Sequence, residues 1–223
     1  MKNMLVLGDS HSTIFRYCNG KTQKFNFNVL DIGGATAQGA VNPNSKTDAL
    51  KIFTRKLETI NTKNIDYIMI MLGEVDCGFV IWVRSKRYNI NVDEQIDISV
   101  DNLFSFIENI VRKYFKSYQI IIVGSVLPII KDSTDKRFIN GARAEVDASQ
   151  EIITKKTIEY NLKLKNKAKV LGFHYIDITN LTMNTETNLI DDIYLSSIPH
   201  DHHLNKQKSY KLWLNILDCY FYR

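Results

Sequence analysis

Met4-Leu5-Val6-Leu7-Gly8-Asp9-Ser10-His11-Ser12 carries an apolar run that stops at a glycine, an acid and a serine. The run has the length and composition of a buried strand, so it reads as the first β-strand of a sheet with Ser10 at its carboxyl end. Open α/β sheets bind their ligands at that end. Taken alone, Gly-Asp-Ser is as well explained by a turn running into a helix N-cap, since Asp and Ser both favour that position. The rest of the chain separates the two readings.

Four further short runs rich in β-branched residues follow, at 27–32, 67–72, 119–126 and 173–178. The runs at 67–72 and 119–126 are nearly continuous in apolar residues, which predicts strands covered on both faces near the middle of a sheet. Between the runs, 47–60 and 93–115 space their apolar residues by three and four, as amphipathic helices do; Ile98, Leu103, Phe106, Ile107, Ile110 and Val111 form one such stripe. Residues 144–171 and 207–219 read as two more helices. Repeated βα units with right-handed crossovers predict an α/β fold, a three-layer α/β/α sandwich on a flavodoxin-like parallel five-stranded sheet of order 2-1-3-4-5. In that order the first strand lies at the switch point.

The 223 residues suffice for one α/β domain, and no Pro/Gly/Ser-rich linker divides them, so a single domain over 1–223 is expected. The net charge of +5 is spread along the chain without a long basic run, which argues against a nucleic-acid partner. The amino-terminal apolar stretch is too short for a signal peptide, and no run of about 18 apolar residues spans a bilayer. A cytoplasmic protein with no membrane partner is expected; the sequence is silent on oligomeric state. Cys18, Cys77 and Cys219 are scattered and odd in number, as reduced packing thiols would be. Phosphate-cradling glycine loops are absent, as is the Gly-x-Ser-x-Gly elbow. No cofactor is expected.

A serine hydroxyl needs a base to attack an acyl carbon, usually an imidazole oriented by a carboxylate. Four blocks in chain order carry such a set: Gly8-Asp9-Ser10, Gly33-Gly34-Ala35-Thr36, Gly73-Glu74-Val75-Asp76 and Asp201-His202-His203-Leu204-Asn205. Together they resemble the GDSL/SGNH hydrolase superfamily over essentially the whole chain. The resemblance implies Ser10 as nucleophile, His203 as general base, and the backbone N–H groups of Ser10 and Gly34 as oxyanion donors. Glycine at 33 and 34 is equally explained by positive φ in the turn after the second strand.

Two departures from the family pattern stand out. The third block usually supplies an asparagine as a further oxyanion donor, and Val75 occupies that place; His11, Glu74 and Arg84 are the polar side chains that could compensate. The family acid usually lies three residues before the histidine, where this chain has His200, with Asp201 only two before. Asp201 orienting His203 is the preferred reading. A dyad held by a backbone carbonyl, or His202 as the base, remains open. The cluster His200-Asp201-His202-His203 also has metal-ligating residue types, but adjacent loop residues seldom converge on one ion, and no metal is expected.

Asp9, His11, Glu74, Asp76, Trp82 and Arg84 are the candidate substrate-binding residues. Glu74 and Asp76 would serve equally well in holding the loop after the third strand. The 79–88 segment, with Trp82 and Arg84, is either a wall of the site or a packed helix with cations facing water. Residues 131–143 form a second candidate rim. By analogy with the superfamily, the expected function is a serine esterase acting on a small-molecule or saccharide acyl ester, such as an O-acetylated sugar or polysaccharide precursor. The alternatives are an O-acyltransferase on a sugar hydroxyl and a degenerate carbohydrate-binding module.

Overall fold

The computed structural model describes residues 1–139, 141–198 and 200–222. Strand β1 (Lys2–Gly8) leads through a 3-10 turn (Ser10–Ser12) into α1 (Thr13–Cys18), followed by β2 (Phe25–Asp31), α2 (Ala49–Thr59) and β3 (Tyr67–Met71). A π-helical turn (Asp76–Val80) then opens α3 (Ile81–Tyr88), followed by α4 (Val92–Asn109), β4 (Ile120–Val123), α5 (Gln150–Leu171), β5 (His174–Ile176), the short α6 (Thr179–Thr182) and α7 (Lys206–Tyr222). The strands form one parallel sheet of order β2-β1-β3-β4-β5, as expected.

Alternation along the strands builds two cores. Leu5 and Leu7 of β1, Ile68 and Ile70 of β3, and Ile120 and Ile122 of β4 face α2, α4 and α5. Met4 and Val6, Met69 and Met71, and Ile121 and Val123 face α1 and α7, where Phe15, Trp213 and Leu217 fill the layer. Every strand residue named here is at most 2% exposed, so the period-2 pattern is buried on both sides and the result is a three-layer α/β/α sandwich. Among the described residues, no helix is long and apolar enough to cross a membrane.

Several predicted boundaries move. The helix expected over 93–115 ends at Asn109, where Ile110 leaves helical geometry (φ −118°, ψ −59°) before a separate 3-10 turn at Val111–Lys113. The helix expected over 144–171 begins at Gln150, where the Ser149 hydroxyl accepts the Ile152 N–H at 3.3 Å. Residues 141–145 form their own 3-10 turn and carry Arg143 away from α5. Helices α1 and α6 are additions, each too short to show periodicity, and α3 realises the helix alternative for 79–88 behind a π-turn.

Candidate active site

β1 delivers Ser10 to the carboxyl edge of the sheet next to β3, and the loop before α7 folds back over it. Ser10 Oγ–H donates to His203 Nε2 at 2.9 Å. On the far side of the ring, His203 Nδ1–H donates to Asp201 Oδ1 at 2.7 Å, and the same oxygen accepts the His203 backbone N–H at 3.0 Å. A two-residue separation therefore suffices: a tight turn in which the carboxylate accepts from both the amide and the ring of its histidine partner. His200 lies elsewhere, with its ring stacked on Phe138 at a centroid distance of 4.3 Å. Of the three arrangements left open by sequence, the geometry assembles Asp201 with His203.

The tautomer follows from the partners. Asp201 can only accept, so Nδ1 carries the proton and Nε2 is left as the acceptor for Ser10. Burial, and next the charge of His11, lower the His203 pKa from its ordinary value, so the ring is neutral near neutral pH. Burial opposes ionisation of Asp201, but hydrogen bonds from His203 and Ser196 outweigh it and hold the carboxyl low.

Behind this trio lies a second set of charges. His11 Nδ1 sits 3.2 Å from Asp9 Oδ1 and 3.4 Å from Glu74 Oε2, and its Nε2 lies 3.1 Å from the carbonyl oxygen of His202. Arg143 donates to Glu74 Oε2 at 2.5 Å. Asp9, His11 and Glu74 are 1%, 6% and 6% exposed, so none of the three meets substrate as part of an open wall. Gly78 makes room for the guanidinium: a Cβ there would meet Arg143 Nη1 at 2.2 Å.

Asp76 is fully buried. Its carboxylate accepts the Ala37 and Gln38 N–H groups at 2.7 and 3.3 Å and the Ser99 hydroxyl at 3.1 Å. It therefore braces the loop after β2 rather than binding substrate. That loop holds Gly34 at φ 74°, a left-handed conformation that favours glycine. Among the described residues, the N–H groups of Ser10 and Gly34 find no protein acceptor. Val75, 2% exposed, offers no donor.

The remaining candidates lie apart. Trp82 Nε1–H donates to Cys77 O at 2.7 Å and its ring packs on the α2/α4/α5 core, while Arg84 hydrogen-bonds Gln38. Both are engaged by protein groups beyond the π-turn, the packed-helix alternative for 79–88 rather than the site wall. Arg84 and Glu74 are likewise committed to protein partners, as is His11, so none of these side chains stands in for the missing asparagine. Cys77 is pushed well up by burial and by the Asp76 and Glu74 charges, away from a thiolate.

A cleft of about 460 Å³ opens beside Ser10, Asp201 and His203 and is rimmed by Thr13, Tyr17 and Lys206. A second, of about 250 Å³, lies behind His202 between Ile129, Phe138, Arg143 and His200, so Lys131, Thr134, Phe138, Ile139 and Arg143 of the candidate rim border this neighbouring cavity and not the cleft beside Ser10. His11, His202 and His203 bring ring nitrogens within 4.8 Å of one another. Both nitrogens of His11 and of His203 are already engaged by protein groups, which leaves that trio a poor chelate.

No protein-family model matches the chain, and no curated relative matches it by sequence. Solved structures do match. The extracellular lipase of Streptomyces rimosus superposes with a TM-score of 0.60 at 15% identity, covering 98% of this chain and 99% of that one. A GDSL-like lipase of Bacteroides thetaiotaomicron gives 0.58 at 14%, covering 98% and 87%. A carbohydrate acetylesterase family member of Sinorhizobium meliloti gives 0.57 at 15%, covering 94% and 92%. Identity at this level speaks to architecture, and the architecture is unambiguous: the chain has the GDSL/SGNH hydrolase fold.

Proposed function

We propose that the protein is a serine acyl hydrolase that removes an O-acyl group, such as acetyl, from a carbohydrate or polysaccharide precursor. The observation that carries this reading is the continuous line from Ser10 Oγ to His203 Nε2 at 2.9 Å and from His203 Nδ1 to Asp201 at 2.7 Å. In this mechanism Ser10 Oγ attacks the ester carbonyl carbon while its proton passes to His203 Nε2. The Asp201 carboxylate stabilises the imidazolium that results. The carbonyl oxygen gains negative charge and accepts hydrogen bonds from the Ser10 and Gly34 N–H groups. Each such donor is typically worth about 3 kcal/mol at comparable sites. His203 then protonates the departing sugar oxygen, which breaks the ester bond and leaves the acyl group on Ser10. Water, deprotonated by His203, attacks that acyl-enzyme; the carboxylic acid leaves and the proton returns to Ser10.

The saccharide assignment rests on the character of the cleft. Thr13, Tyr17, Asn205, Lys206 and Gln207 give its rim hydroxyl, amide and ammonium groups suited to a polyhydroxylated alcohol. Acetylesterases of carbohydrate occur among the structural neighbours. A fluorophosphonate probe is expected to label the wild-type protein at Ser10 and to leave Ser10→Ala unlabelled. O-acetylated sugars should release acetate faster than long-chain esters release fatty acid. A wild-type protein that neither reacts with the probe nor hydrolyses p-nitrophenyl acetate would refute the reading.

A further inference from the structure

We propose that His11, held between the carboxylates of Asp9 and Glu74, is the positioning residue that clamps the His202 carbonyl and thereby sets the His203 imidazole against Ser10. The inference rests on the reading of Ser10 and His203 as nucleophile and base. Its first support is the partner set. Asp9 Oδ1 and Glu74 Oε2 can only accept at Nδ1, and the His202 carbonyl can only accept at Nε2. Both ring nitrogens must therefore carry protons, so His11 is an imidazolium. Burial by itself would lower its pKa, but the Glu74 charge and then the Asp9 hydrogen bond reverse the shift and raise it to about 9.

The second support is where the clamp acts. The carbonyl that His11 holds belongs to the peptide joining His202 to His203, so it fixes the backbone from which the base projects. The His11 and His203 rings lie 4.5 Å apart between centroids. The groups facing His11 come from three elements: Asp9 after β1, Glu74 after β3 with Arg143 behind it, and His202 and His203 before α7. With two carboxylates against His11 and Arg143, the cluster is charge-balanced. Burial, then the Arg143 charge, push His202 down to about 4, so this second neighbouring ring, 5.5 Å from His11 between centroids, stays neutral and does not compete for either acid.

The third support is chemical economy at the base. A fixed cation beside His203 disfavours a second positive charge there, which keeps the resting imidazole free to take the serine proton. A side chain with only a packing role would supply the ring volume without either the donor or the charge.

The test uses His11→Gln, which keeps a donor and loses the charge, and His11→Phe, which loses both. With p-nitrophenyl acetate, His11→Phe is expected to lose roughly 100-fold in kcat with little change in KM, and His11→Gln to recover part of that loss. In His11→Gln the acidic limb of the kcat/KM profile should move to higher pH, because the neighbouring cation no longer opposes protonation of His203. Wild-type kcat with an unmoved limb in a folded His11→Gln variant would overturn the proposal. Imidazole ¹⁵N shifts provide a readout that needs neither variant nor turnover: both His11 nitrogens should be protonated at about pH 7.5, and a neutral His11 overturns the proposal outright. If wild-type Ser10 resists the fluorophosphonate, the hydrolase reading fails separately. The His203 titration midpoint followed by NMR in wild type and His11→Gln then still decides the clamp, an upward shift supporting it and an unchanged midpoint refuting it.

Discussion

Asp76 reaches back 39 residues to accept the Ala37 amide at 2.7 Å, tying the turn after β3 to the loop that presents Gly34. Its carboxyl has no exposure, and burial raises its pKa from 3.8 to about 6, against the pull of the Ala37 and Gln38 amides and the Ser99 hydroxyl. The folded chain thus holds the Asp76 proton more tightly than the unfolded chain does. The stability this adds is fully present below 3.8 and is lost as pH rises through about 6. Asp76→Asn does not titrate, so the stability of wild type relative to the variant should grow as pH falls from 7 to 4, by an amount on the order of 3 kcal/mol. Urea melts at a series of pH values measure that difference directly. A gap that stays constant or shrinks on acidification would contradict the assignment.

The strand carrying Ser10, the sheet order and the pairing of Asp201 with His203 were legible because each is written locally. They follow from continuous apolar runs repeated in βα units with right-handed crossovers, from glycine after a strand, and from an acid close in sequence to its histidine. The supporting charges were not legible in their roles. Glu74 and Arg143 are 69 residues apart, and no periodicity announces that a 3-10 turn will carry Arg143 over Gly78. For Trp82 and Arg84 the sequence left a site wall and a packed helix open, and it could not choose because a π-turn adds a residue to the helical repeat just ahead of α3. His11 was legible as a polar neighbour of Ser10, but its direction away from the reacting atoms depends on the loop before α7.

Asp201→Asn keeps the shape of the acid but presents an amide that cannot hold Nδ1–H of His203 as an anion does. The imidazole is then free to take the tautomer with its proton on Nε2, facing Ser10. The loss in kcat is expected to be on the order of 10³- to 10⁴-fold, by comparison with Asn substitution in other serine triads. Steady-state rates with p-nitrophenyl acetate test this, with fluorophosphonate labelling as a check on Ser10 itself. A variant within tenfold of wild type would point to a Ser10–His203 dyad.

Arg143→Met removes the guanidinium from a pair whose side chains are 11% and 8% exposed. Glu74 keeps His11 as a counter-charge, so the loss should sit near the lower end of the 3–5 kcal/mol typical of a broken buried pair, about 3 kcal/mol at neutral pH. Burial opposes ionisation of Glu74, but the His11 and Arg143 charges bring its pKa from 4.5 down to about 2. A depressed folded-state value contributes stability above 4.5 that disappears as pH falls through about 2. The destabilisation caused by Arg143→Met should accordingly shrink on acidification, the opposite trend to that expected for Asp76→Asn. Denaturant midpoints at neutral pH and near pH 3 distinguish the two signs.

Trp213 lies in α7, only ten residues after His203, and packs against Phe15 of α1, five residues after Ser10, at a ring-centroid distance of 5.3 Å. This contact joins the two helices that directly follow the nucleophile and the base. Trp213 is 1% exposed, so Trp213→Ala opens a cavity within the layer formed by Met4, Val6 and Met69 and should cost about 3–5 kcal/mol. Trp213→Phe keeps most of the volume and should cost less. Because the cavity separates α1 from α7, the folded fraction of Trp213→Ala should also react with fluorophosphonate more slowly than wild type at a temperature well below its melting point. A loss below about 1 kcal/mol, with an unchanged labelling rate, would show that the loop before α7 holds His203 without help from the core beneath it.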